Sequence, residues 1–249
     1  VCAQCHITYY VPRTHEKKVN GDVVQPWTGG QWGNISIENI IKDLLTDTKR
    51  IEWKQKVTGF DMPFVRHPEF ELFTKGSVHF NAGLACADCH MPYKRVGSYK
   101  ISTHDVASPV KQDFAACAQC HTESADWLKK QVFIIQESTI SLFSRAGYAN
   151  ATAARLFEIV NENRVKGVKI DQNLYAKAKE SYMQGFIRLN FISAENSTGF
   201  HNPSEASRIL GDSASFADKS ETLLRQLITQ AGITLPEKIN LNLSKFLNG

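Results

Sequence analysis

Three stretches decide how this chain is read: Cys2-Ala3-Gln4-Cys5-His6, Cys86-Ala87-Asp88-Cys89-His90 and Cys117-Ala118-Gln119-Cys120-His121. They use all six cysteines of the 249 residues, and each has the form C-x-x-C-H. At this composition chance supplies about 0.005 copies of that pattern, and three are present. Two thiols three positions apart can each bond one vinyl group of a single porphyrin, and the histidine that follows can ligate the iron. A zinc site would pair C-x-x-C units in a tetrahedral set, which six cysteines with three adjoining histidines do not match. A redox C-x-x-C has no need of the histidine, and disulfides would not repeat the spacing. The pattern points to three covalently attached haem c groups. Cys2, Cys5, Cys86, Cys89, Cys117 and Cys120 anchor them, and His6, His90 and His121 are the proximal iron ligands. Thiol-bound haem belongs outside the reducing cytosol, so the expected location is periplasmic or otherwise extracytoplasmic.

The rest of the composition is that of a folded protein. Apolar residues make up 42% and charged residues 22%, which excludes a disordered or fibrous chain. No run of eighteen apolar residues is present, so no membrane-spanning helix is expected. The N-terminus lacks a charged-then-apolar leader, and any export signal is expected to have been removed. A formal charge of +4 is too mild and too scattered to suggest nucleic acid as a partner.

Residues 1–122 read as a mostly irregular haem-binding body with a short helix at each C-x-x-C-H. Ile35 to Leu45 adds a helix, with Ser36 as N-cap and Ile37, Ile40, Ile41 and Leu44 on one face. Residues 123–249 read as a region of long helices packing on the haems. From Glu123 to about residue 163, Trp127, Leu128, Ile134, Ile135, Leu142, Phe143 and Ala146 recur at helical spacing, with Gln131 as a break. Asp171 can cap a second helix to about Ser193 that carries Leu174, Ala178, Met183, Phe186 and Leu189. Pro203 to Gln230 suggests a third, interrupted near Gly211 and ended by Gly232. Helices this long also suit a dimer face. No strong strand pattern appears.

Five histidines lie outside the motifs. His15 sits among Arg13, Glu16, Lys17 and Lys18 and reads as solvated. His79, His104 and His201 are candidates for sixth ligands, which three haems would require. His67 on its own caps a turn before Pro68, and Tyr9 on its own packs against a porphyrin.

The layout resembles the pentahaem cytochrome c nitrite reductases, the ammonia-forming enzymes. Cys5-His6-Ile7-Thr8-Tyr9-Tyr10, His67-Pro68-Glu69, Cys89-His90-Met91-Pro92-Tyr93, His201-Asn202-Pro203 and Arg208-Ile209-Leu210-Gly211 carry the resemblance, in order, across nearly the whole chain. It implies a mainly α multihaem cytochrome c with an irregular haem-binding body and long C-terminal helices. The match is to the C-terminal part of such an enzyme, with haems three to five. The lysine-ligated catalytic haem (C-x-x-C-K), the second haem and the catalytic arginine lie upstream in the family and have no counterpart here. The chain is therefore expected to be part of a longer, five-haem polypeptide and, alone, not to reduce nitrite.

Residue by residue, the resemblance makes His6, His90 and His121 the proximal ligands of haems three, four and five. It makes His79 the distal ligand of the fifth, His104 of the second and His201 of the fourth. Tyr9 and His67 match the substrate pocket above the catalytic haem. Most members place calcium beside that pocket, using a Glu directly before the Tyr, the Tyr backbone, and a Lys and a Gln upstream of the His. Here those side chains are Thr8, Phe64 and Arg66. A hard cation wants oxygen ligands with negative charge. The carboxylate is gone and a guanidinium gained, so the expectation is no calcium there, with Arg66 as the replacing cation holding the Tyr9 and His67 loops.

The implied activity is six-electron reduction of nitrite to ammonium, with this chain supplying three relay haems and the Tyr/His side of the pocket. The implied donor is a quinol dehydrogenase subunit or a soluble multihaem cytochrome, and the implied assembly is a homodimer. The competing class is an electron-transfer cytochrome without a catalytic haem of its own. A third possibility, a related oxidoreductase acting on hydroxylamine or sulfite, differs only in substrate preference.

Overall fold

The long C-terminal helices begin and end where side chains satisfy their free backbone groups. The structure is a computed structural model and describes residues 1–9, 11, 18–19, 21, 35–46 and 50–243. His15 lies outside the described residues. In chain order the helices are α1 (Ile37–Thr46), α2 (Glu69–Thr74), α3 (Val78–Asn81), α4 (Cys86–His90), α5 (Ala125–Val165), α6 (Gln172–Ser193) and α7 (Pro203–Gln230). Ser36 accepts a hydrogen bond from the Asn39 amide at the start of α1, whose Ile37, Ile40, Ile41 and Leu44 are buried as the spacing predicts. Ser124 accepts from Trp127 at the start of α5, and Asp171 from Asn173 and Leu174 at the start of α6.

α5 runs unbroken for 41 residues, the single long helix that the apolar spacing implied, with Gln131 interrupting only the apolar recurrence. Two expectations are corrected. Gly211 does not interrupt α7: Ile209, Leu210 and Ser213 around it are buried, and that packing outweighs the ~1 kcal/mol preference for alanine over glycine in a helix. Gly232, at φ +64°, follows the helix end as expected. Strand is present as two antiparallel hairpins. β1 (Trp53–Lys54) pairs β2 (Asp61–Met62), and β3 (Tyr93–Val96) pairs β4 (Tyr99–Ser102) across Gly97. Both are too short for an alternating pattern to stand out, and every residue of β3 is exposed.

One hydrophobic core joins the two parts of the chain. Phe60, Met62, Val65 and Leu72 share it with Leu156, Phe157, Tyr182, Ile187, Ile209 and Leu224. Phe60, Phe157, Tyr175 and Tyr182 meet edge to face at centroid distances of 4.9–6.4 Å. The buried Tyr182 hydroxyl donates to Gln55 (2.9 Å), and burial pushes its pKa above the ordinary tyrosine range.

Small residues let α6 and α7 approach closely. Ser213 donates to the Gly185 carbonyl (2.7 Å), Ser220 donates to that of Ala178 (2.8 Å), and Asn150 from α5 donates to Ser213 (3.1 Å). A Cβ on Gly185 would lie 2.9 Å from the Ser213 carbonyl oxygen and 3.2 Å from the Ala217 nitrogen, both backbone atoms. Gly185→Ala is expected to destabilise the protein by about 1–3 kcal/mol. Gly211→Ala, where nothing lies within 4 Å of the added carbon, should be neutral or stabilising by up to about 1 kcal/mol. Thermal melts of the two variants check the contrast.

Candidate functional site

Each C-x-x-C-H stretch closes a single helical turn, which sets its two cysteines on one side. Cys2–Gln4 and Cys117–Gln119 are 3₁₀ turns, and the amides of His6 and His121 donate back to Cys2 and Cys117 (2.9 and 2.8 Å). The second stretch is α4, where the Asp88 carboxylate accepts from the Ala85 amide (2.7 Å). All six thiols are free of disulfides. The three turns also gather in space. Burial raises the Cys86 thiol pKa, and the neighbouring Cys2 raises it further. Burial pushes the Cys89 thiol up to about 11, with Cys117, Asp88, Cys86 and Cys120 adding to it. Thiols kept protonated near neutral pH are slow to oxidise to disulfides.

Helix ends deliver the other histidines. Asn202 caps α7 by accepting from Glu205 (3.2 Å), and its amide donates to the Leu72 and Lys75 carbonyls at the end of α2 (3.2 and 3.1 Å). His201 is thereby fixed against the α2–α3 region. Its ring faces that of His90 at 6.2 Å between centroids and 54° between planes. His79, in α3, faces His121 at 6.4 Å and 71°. Two metal–imidazole bonds of about 2.0–2.1 Å, plus about 1.1 Å from each nitrogen to its ring centre, require roughly 6.3 Å. Both pairs have the spacing for one iron between two imidazoles, and the haem groups implied by the cysteine turns fit these residues. His104 is exposed after β4, and no described ring packs against it.

Electrostatics favour the ligating, neutral form of the rings. Burial, then the neighbouring His121, holds the His79 pKa below the ordinary value. Burial, with smaller contributions from His201 and His6, does the same for His90 against the hydrogen bond its Nδ1 donates to the Ala107 carbonyl (3.0 Å).

A third ring group lies beside the first motif. Tyr9 stacks on His67 at 6.5 Å and 18°, and His67 meets His6 edge to face at 5.8 Å. His67 has φ +45°, a left-handed backbone directly before Pro68 that a non-glycine residue holds only where its surroundings enforce it. Arg66 is not a lone cation: it grips Glu52 through both guanidinium nitrogens (2.6 and 2.5 Å). Its guanidinium carbon lies 4.5 Å from the Phe64 ring centre and 5.6 Å from that of Tyr9. Thr8 is buried, and its amide donates to Glu71 (2.7 Å). Buried Glu69 accepts from the backbone and side-chain amides of Asn196 and lies 3.5 Å from His6 Nδ1. The ligand atoms of His6, His67 and Glu69 fall within 4.8 Å of one another. His6 belongs to a C-x-x-C-H turn, so this convergence belongs to the haem site.

Sequence reasoning missed Glu52, Asn196 and Glu195 and gave Glu69 no role. Glu69 stood in the quoted His67-Pro68-Glu69. The other three reach the site only through folding, from β1's approach and the α6–α7 loop, and carry no local signal. Burial works to raise the Glu195 pKa, but hydrogen bonds from His201, Gly199 and Ser197 outweigh it and hold the carboxyl below its ordinary value.

A model of the cytochrome c552 family matches residues 1–248. The chain belongs to that family. It is 32% identical over 247 residues to a cytochrome c nitrite reductase subunit NrfA of Nitratidesulfovibrio vulgaris, covering 94% of this chain and 45% of that protein. It is 28% identical to a cytochrome c-552 of Desulfotalea psychrophila, again over 94% of this chain and 45% of the relative. A solved cytochrome c nitrite reductase from Desulfovibrio desulfuricans, described with two calcium sites in its catalytic subunit, matches with a TM-score of 0.78 and 28% identity. That match covers all of this chain and 50% of the solved one. The chain therefore spans about half the length of the relatives it matches. Its mainly helical architecture agrees with the solved structure, as the resemblance implied.

Removing one partner of the Arg66–Glu52 clamp strands the other half-buried. Glu52→Ala is expected to cost about 1–3 kcal/mol, read as a lower midpoint in denaturant with haem content unchanged.

Proposed function

We propose that this chain is the C-terminal part of a five-haem periplasmic nitrite reductase that makes ammonium, carrying its third, fourth and fifth haems. Residues 1–122 would be the haem-binding body and residues 123–249 the helical region that packs on it. The observation that carries this reading is the Tyr9–His67–His6 group, with His67 held in a left-handed backbone. An electron carrier has no use for a strained, partly open histidine and a tyrosine beside a haem turn. His104 would serve the second haem, whose turn is not in this chain.

When bound, the haem groups pass electrons one at a time between iron centres. The chain's own residues hold them and handle protons. His90 with His201, and His79 with His121, would each hold one haem iron, and the clustered cysteine turns would anchor the three groups near one another. At the pocket, Asn196 Nδ2 lies 3.3 Å from His67 Nδ1 and donates to it. The neutral His67 ring then carries its proton on Nε2, where it can donate to a bound oxyanion. The Tyr9 hydroxyl is a second donor that orients the anion as its oxygen becomes water. The Arg66–Glu52 pair stands in for calcium, with the guanidinium beside Tyr9 and one residue before His67. Because Glu52 neutralises the guanidinium, the pair acts as a brace rather than as a free positive charge.

The exposed Trp127, Phe133, Ile134, Ile140 and Tyr148 of α5 support pairing with a second copy of the chain. A membrane-associated quinol dehydrogenase subunit or a soluble multihaem cytochrome would supply electrons.

In the intact native protein, His67→Asn is expected to lower nitrite turnover by orders of magnitude with haem content unchanged. Full activity in that variant would remove His67 from the pocket. Metal analysis of the same protein is expected to find no calcium at the Tyr9 carbonyl, and calcium bound there would overturn the role given to Arg66.

A further inference from the structure

The candidate iron ligands differ in what stands behind them. His201 Nδ1 lies 2.5 Å from a carboxylate oxygen of Glu195, whose side chain is fully buried. His90, the facing ring, donates only to the neutral Ala107 carbonyl. The nearest carboxylates to His6 and His121 stand farther off, at 3.5 and 3.8 Å, and the latter is exposed. Glu195 is itself held in place. Its oxygens accept from the Ser197 amide (3.0 Å), the Ser197 hydroxyl (2.9 Å) and the Gly199 amide (3.0 Å). Gly199 has φ +82°, and a Cβ there would lie 2.6 Å from Thr139 Oγ1 of α5, so the loop admits no larger residue. Ser197 also accepts from the His201 amide (2.8 Å), which ties ligand and carboxylate into one unit.

We propose that Glu195 is a positioning residue for the haem held between His90 and His201, fixing the His201 tautomer and making this haem the one most biased toward the ferric state among the chain's three. The inference rests on His201 being an iron ligand. A carboxylate that accepts the Nδ1 proton leaves Nε2 to bind the iron and makes the ring a stronger donor. Its negative charge, in a site shielded from water, favours the ferric centre over the ferrous one.

The test is redox titration of the intact holoprotein, followed by haem spectra, with the Glu195→Gln variant. The amide keeps the shape but removes the charge. One haem is expected to shift toward the ferrous state by about tenfold, about 59 mV for one electron, with haem count and low-spin spectrum unchanged. Unchanged potentials at unchanged haem content would overturn the proposal. His201→Ala separates the two claims: loss of one low-spin signal keeps His201 as a ligand, and an unchanged spectrum removes that reading and the proposal with it. If Glu195→Gln fails to take up haem, Ser197→Ala decides. It takes one competing donor from the carboxylate and should move the same potential the opposite way, and no movement there would overturn the proposal.

Discussion

An iron between two imidazoles demands ring centres roughly 6.3 Å apart, and the chain meets that demand twice with residues far apart in sequence. His90 comes from a one-turn helix and His201 from the loop between two long helices. His79 and His121 come from another pair of short elements. Much of the fold is arranged to hold these rings. Asn202 joins the start of α7 to the end of α2, and Gly199 lets the loop press against α5. The α5–α7 core, with Gly185 and Ser213 at its closest crossing, keeps that loop at a fixed distance from the cysteine turns.

Charge is managed around the same rings. Burial holds the pKa values of His79 and His90 below the ordinary histidine range. Carboxylates that enter the site are buried and tied down: Glu195 by its own loop, Glu69 by Asn196, and Glu52 by Arg66. Buried charges survive only with such partners. Beside Tyr9 the guanidinium is held to one side by Glu52, which in the proposed pocket would leave His67 and Tyr9 as the donors to an anion.

Much of this was legible in the sequence. The C-x-x-C-H turns, the capping residues Ser36 and Asp171, and the apolar face of α1 all act locally, and local spacing reports them. The boundaries of α5 and α6 followed from periodicity within about two residues. Gly211 misled because helix propensity is a weak force beside the packing of Ile209 and Leu210. The hairpins went unseen because two- and four-residue strands carry too little alternation. Glu52 and Asn196 were invisible for a different reason: they pair with Arg66 and Glu69 from other parts of the fold, and no residue beside them in sequence announces that partner. Glu195 meets His201 only six residues on, inside one irregular loop that no periodic pattern reports. The distal pairing of His79 and His201 came from resemblance and stands as a proposal, for which the ring spacings of 6.4 and 6.2 Å leave room for an iron.

The central claim is that the three cysteine turns hold covalent haem. Mass mapping of peptides from the native protein tests it most directly. The account predicts that the peptides containing Cys2 and Cys5, Cys86 and Cys89, and Cys117 and Cys120 each carry the mass of one haem. Any of the three recovered as a free dithiol or a disulfide would contradict it.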